Sequence, residues 1–158
     1  MTLNPQLSVV GTEDPAYGMN FFGFSENVCS CQECQAMCQR KPCWPTPREA
    51  ARLIRFDFGP QLMLEHWVED DYLPATEILS PAVEGYEARR ASEWGDGCCT
   101  FFNCGKCLIH HRKPLEGRLA RHDRRGRDGF RLHLEVARTW ATPSGRSLIR
   151  LWKARFLS

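Results

Sequence analysis

Nine cysteines fall in two short runs, five within residues 29–43 and four within residues 98–107. This placement constrains the chain more than any other feature. An odd number leaves one thiol over in any closed disulfide framework. Residues 1–10 carry no positive charge and no long apolar run, so no secretion signal is read. A cytoplasmic setting is therefore expected, where thiols stay reduced. Metal ligation becomes the leading expectation, ahead of disulfides or redox thiols.

Thiolates are soft donors that hold zinc or iron in tetrahedral, sulfur-rich sites. Donors close in sequence converge when they sit on a tight turn or on one helix face. Cys31-x-x-Cys34 has knuckle spacing, and Cys34-x-x-x-Cys38 places two thiols on one face of a helix. Cys29 opens the same run. In the second run Cys104-x-x-Cys107 repeats the knuckle spacing, and Cys99 and Cys107 fall on two arms of a proposed hairpin. His110 follows Cys107 at x-x spacing and offers a nitrogen donor. The candidate metal ligands are thus Cys29, Cys31, Cys34, Cys38, Cys99, Cys107 and His110. Cys43, between Pro42 and Trp44, reads as a small buried hydrophobe, as in part do Cys98 and Cys104. His111 reads as solvent-facing. His66, His122 and His133 stand isolated, which favours surface or packing roles.

The pattern predicts a small single α+β domain, with short β segments, several helices and a cysteine-rich metal centre. Residues 1–28 form an irregular lead-in whose aromatics Phe21, Phe22 and Phe24 dock on it, and residues 29–158 form the domain. Thr46, Pro47 and Glu49 spell a capping box with proline at the first helical position. That helix stops before Gly59-Pro60. Leu62, Leu64 and Trp67 belong to a short element, Glu69 to Asp71 make an acidic turn, and residues 76–90 hold a short strand with loops. Residues 98–109 read as two short β segments around Asn103-Cys104-Gly105-Lys106, with Gly105 at positive φ. Pro114, Gly117 and Gly126 break any period in 112–127. Helices follow over 128–140, with Phe130, Leu134 and Ala137 on one face, and after Gly145, with Leu148, Leu151, Trp152 and Phe156 inward.

The net charge of +2 conceals an asymmetry. Residues 1–109 carry 8 basic and 15 acidic side chains, a net of −7; residues 110–158 carry 13 and 4, a net of +9. The two parts can pair internally, and Arg112 through Arg127 can also grip phosphates. Solvated, internally paired charge is the favoured reading of that stretch, and a nucleic-acid partner the lesser one. No apolar run approaches the ~20 residues of a membrane helix. No Gly-rich phosphate loop, Gly-x-Ser-x-Gly or His-Glu-x-x-His is present, so no enzyme class is supported.

Cys31-Gln-Glu-Cys34-Gln-Ala-Met-Cys38, Trp44-Pro-Thr-Pro-Arg-Glu-Ala-Ala, Cys99-Thr-Phe-Phe, Cys107-Leu-Ile-His110 and Arg112-Lys-Pro114-Leu-Glu-Gly-Arg118 follow one another in a fixed order. In this they resemble the YkgJ-like cysteine-cluster family of zinc- or iron-chelating domains, over roughly residues 29–122. The resemblance implies a shared metal centre with Cys31, Cys34, Cys38, Cys99 and Cys107 as its best-matched ligands. The chain lacks the adjacent cysteines of the family's first motif, and it lacks the cysteine that often follows the Arg-Pro motif. The expected function is zinc or iron binding at a mainly structural centre. The alternatives are an iron–sulfur redox or electron-transfer protein, or a nucleic-acid-associated protein using the basic C-terminal part.

Overall fold

Thr46 starts its helix as the sequence spells it. In a computed structural model describing residues 31–40, 42–91, 97–120, 122–123 and 127–157, the Thr46 hydroxyl accepts from Glu49 N, and the Glu49 carboxylate accepts from Thr46 N at 2.9 Å. Helix α2 then runs Pro47–Arg55, burying Ala50, Leu53 and Ile54. Helix α1, Gln32–Arg40, precedes it, with Glu33 in its first turn and Arg40 in its last, both favourable to the helix dipole. The expected lead-in and Cys29 lie outside the described residues.

The uncertain element at Leu62 is a strand. β1, Leu62–Trp67, pairs antiparallel with β2, Thr76–Pro81, from Leu62 opposite Pro81 to Trp67 opposite Thr76. Asp70 turns the connection by accepting from Tyr72 N and Leu73 N. The chain beyond β2 returns along the other edge of β1, where Leu64 N donates to Arg89 O. Strands β3, Phe102–Asn103, and β4, Lys106–Cys107, form the expected hairpin. Its turn takes positive φ at Gly105 and also at Cys104, the pair of values a tight hairpin turn requires.

Helices α4, Arg127–Trp140, and α5, Pro143–Phe156, close the core over α2 and β2. Trp44, Trp140 and Trp152 are fully buried, and each indole N–H finds an acceptor: Glu65 Oε2 at 3.0 Å, Pro45 O at 2.7 Å and Gly59 O at 2.9 Å. These three rings are thus buried without stranding their indole N–H groups. Two expected inward residues turn outward. Phe130 is exposed while packing its ring on Trp67 and Tyr72, and Leu151 is exposed while Ile149 takes the buried place beside Leu148 and Trp152. Among the described residues no helix is long and apolar enough to cross a membrane.

The stretch expected to lack regular structure forms a short helix, α3, Leu115–Leu119, after a 3-10 turn at His110–Arg112. Leu115 and Leu119, four apart, pack on Leu132 of α4. A distant carboxylate makes the difference, since Glu49 Oε1 accepts from Leu115 N at 2.9 Å and Arg118 pairs with the same oxygen at 3.5 Å. Burial raises the Glu49 carboxyl above its ordinary range, against its hydrogen bonds to Thr46. An acid whose folded pKa is raised binds more protons folded than unfolded, so its contribution to stability falls as pH rises from the ordinary value through the raised one. Glu49→Gln should flatten that segment of the stability profile, measured by denaturant unfolding between about pH 4 and pH 7. An unchanged profile would show that Glu49 does not titrate in this window.

Candidate metal centre

Helix α1 begins just after Cys31, whose carbonyl accepts from Gln35 N, so Cys31 and Cys34 lie one turn apart on one face. On the other side of the site, α3 ends at Leu119 and leads into a turn that presents His122. Cys31 Sγ and Cys34 Sγ each lie 3.3 Å from His122 Nδ1. The three ligand atoms lie within 4.8 Å of one another, with Cys34 buried and the other two half-buried.

These separations suit a metal. Zinc bonds of ~2.3 Å to sulfur and ~2.0 Å to nitrogen, opened to the tetrahedral angle, set sulfur and nitrogen about 3.5 Å apart. The opposite ring nitrogen, Nε2, faces Glu33 Oε2 at 3.7 Å. A carboxylate behind a ligating histidine fixes its tautomer and ring orientation. The hydrogen bond to Cys34 raises the His122 pKa, aided by the charges of Cys34, Glu33 and Asp123. The protonated ring must lose its proton to ligate, so metal affinity falls with acidification.

The other expected ligands gather beside the hairpin. Gln39 O and Arg40 O, at the end of α1, accept from Cys99 N at 2.9 Å and Gly97 N at 3.3 Å, so backbone hydrogen bonds join the two cysteine runs. Cys38 hydrogen-bonds Cys43 and Lys113, which lower its pKa to about 5 against the opposing effect of burial. That same bond to Cys38, with burial, raises Cys43. Cys99 feels the charges of Cys107 and Cys38, but burial is the main cause that pushes its thiol up to about 11. Burial also raises Cys107. His110 is exposed and within electrostatic reach of Cys38. The structure therefore brings Cys31 and Cys34 together with His122, and sets Cys99, Cys107 and His110 within electrostatic reach of Cys38.

One residue differs from the sequence reading. His122, expected as an isolated side chain, lies against Cys31 and Cys34 in the candidate site. Cys43, expected as a packing residue, does lie packed beside Gly117 and the Lys113 stem. His133 does pack, stacked on Trp44 with its Nδ1 at 2.5 Å from Glu116 Oε1. Arg121, Arg124 and Arg125 of the basic stretch lie outside the described residues, as does the side chain of His111.

The geometry defines a candidate Cys₂His metal-binding site on a small α+β domain. No family model matches the chain, and neither the curated proteins nor the solved structures searched contain a match.

Proposed function

We propose that this chain is a zinc-chelating protein whose metal is chiefly structural, held by Cys31, Cys34 and His122. The observation that carries the reading is the approach of both sulfurs to one imidazole nitrogen at 3.3 Å, from positions 88 and 91 residues away in sequence. A mixed sulfur and nitrogen donor set suits zinc, whereas four thiolates are the usual holders of iron–sulfur clusters. Structural zinc takes four ligands. Cys29, two residues ahead of Cys31, is the expected fourth donor. The reading agrees with the zinc- or iron-chelating role that the YkgJ-like resemblance implies.

A bound ion would tie the start of α1 to the turn beyond α3. No step of chemistry is assigned to it. Elemental analysis and a visible spectrum of anaerobically purified protein test the reading. One zinc per chain in a colourless sample is expected, with Cys29→Ser weakening retention and His122→Ala abolishing it. A brown sample absorbing near ~400 nm would replace it with an iron–sulfur centre.

A further inference from the structure

Helix α2 turns a row of arginines to solvent. Arg48, Arg52 and Arg55 follow at four- and three-residue spacing and so share a face, with Arg52 and Arg55 exposed and Arg48 half-buried. The one acid of this helix, Glu49, is buried. Helix α5 packs beside α2 and contains no acidic residue, while its Arg146, Arg150 and Arg155 are exposed. Lys153 of α5 is taken up by Glu77, at 2.6 Å. Asp57, just beyond α2, is exposed and offsets one of these charges.

The C-terminal ends of the two helices meet. Gly59, just beyond the Phe56 cap of α2, lies against the Phe156 ring: a Cβ there would fall 2.5 Å from Phe156 Cζ. At this junction an arginine lies over each phenylalanine. Arg112 Cζ sits 4.0 Å from the centre of the Phe56 ring, and Arg155 Cζ 4.9 Å from that of Phe156. Phe56 still keeps 48% of its surface in solvent. Exposed rings and flat guanidinium groups are surfaces on which bases stack, and the guanidinium fork also matches a phosphate. A membrane-binding face would instead need a broad apolar stripe. Among the described residues, Phe56 and Leu151 are the large apolar side chains that these helices and their caps expose.

We propose that α2 and α5 together bind single-stranded nucleic acid. Arg52, Arg55, Arg112 and Arg150 take its phosphates, and an unpaired base stacks on the exposed part of Phe56. The α2 row advances about 6 Å along the helix axis from Arg48 to Arg52 and about 4.5 Å more to Arg55. A strand lying along it meets a guanidinium at each turn before it reaches Phe56. Of the stretch from Arg112 through Arg127 that the sequence marks for phosphates, this surface uses Arg112 alone.

Fluorescence anisotropy of a labelled, mixed-sequence single-stranded RNA with the full-length protein tests the surface. Four phosphate contacts give a log–log salt slope of about −2.8, so affinity should fall about 50-fold between about 50 mM and 200 mM salt. Replacing Arg52, Arg55 and Arg150 together by glutamine, which keeps helix propensity, should flatten the slope to about −0.7. Phe56→Leu removes the stacking ring and no charge, so it should weaken binding about tenfold with the slope unchanged, and Phe56→Tyr should retain wild-type affinity. Arg138→Gln, on α4 and paired with Glu135, should leave binding as it is. Circular dichroism confirms the fold of each variant. Wild-type affinity in the triple variant or in Phe56→Leu would overturn the surface. So would the absence of RNA binding at low salt, including the case in which anionic phospholipid vesicles bind in its place.

Discussion

Replacing Cys34 with serine should strip the protein of zinc and lower its thermal midpoint by about 8–16 °C in zinc-containing buffer. The magnitude follows from linkage. A ligand that binds only the folded state at a free concentration of ~1,000 times its Kd stabilises by about 4 kcal/mol. For a chain of this size each kcal/mol moves the midpoint by about 2–4 °C. Serine preserves the shape of a buried residue in the first turn of α1, so the change reports on the donor atom more than on packing. His122→Ala should reproduce the effect from the far side of the site, and Cys104→Ser, exposed in the hairpin turn, should not. The decisive comparison is chelation. Wild-type protein with a zinc chelator should melt with the two variants, and the variants should not respond to chelator. A wild-type midpoint indifferent to chelation would remove the structural metal, whatever the variants do.

Local signals carried most of the fold. The Thr46 capping box, the hairpin turn at Gly105 and the helix over 128–140 each depend on residues within a few positions of one another, and each formed where the sequence placed it. What escaped was non-local. Helix α3 is only Leu115–Leu119, too short to stand alone, and it depends on a cap from Glu49, a residue 66 positions away. His122 escaped for the same reason. No spacing rule connects it to Cys31, because the chain between them crosses the whole domain. Leu151 and Phe130 failed differently. A helix stripe wider than its neighbours can cover leaves its edge in solvent, and periodicity does not say which edge.

Trp140→Ala should cost about 4–6 kcal/mol. Truncating a buried tryptophan costs about 3–5 kcal/mol through lost transfer energy and the cavity left behind. Trp140 is fully buried within the main core cluster, so its truncation opens a cavity among packed side chains. The indole N–H also satisfies Pro45 O at 2.7 Å, and stranding that carbonyl adds about 1–3 kcal/mol, partly overlapping the first loss. Domains are held by only about 5–15 kcal/mol in all, so this loss approaches the whole margin. The variant should therefore be folded with zinc and largely unfolded without it, the ion supplying the difference. Trp140→Phe separates the two contributions, since it keeps most of the ring and removes the donor. It should lose about 1–3 kcal/mol in denaturant unfolding. Equal losses in the two variants would place the cost in the hydrogen bond to Pro45 and not in the cavity.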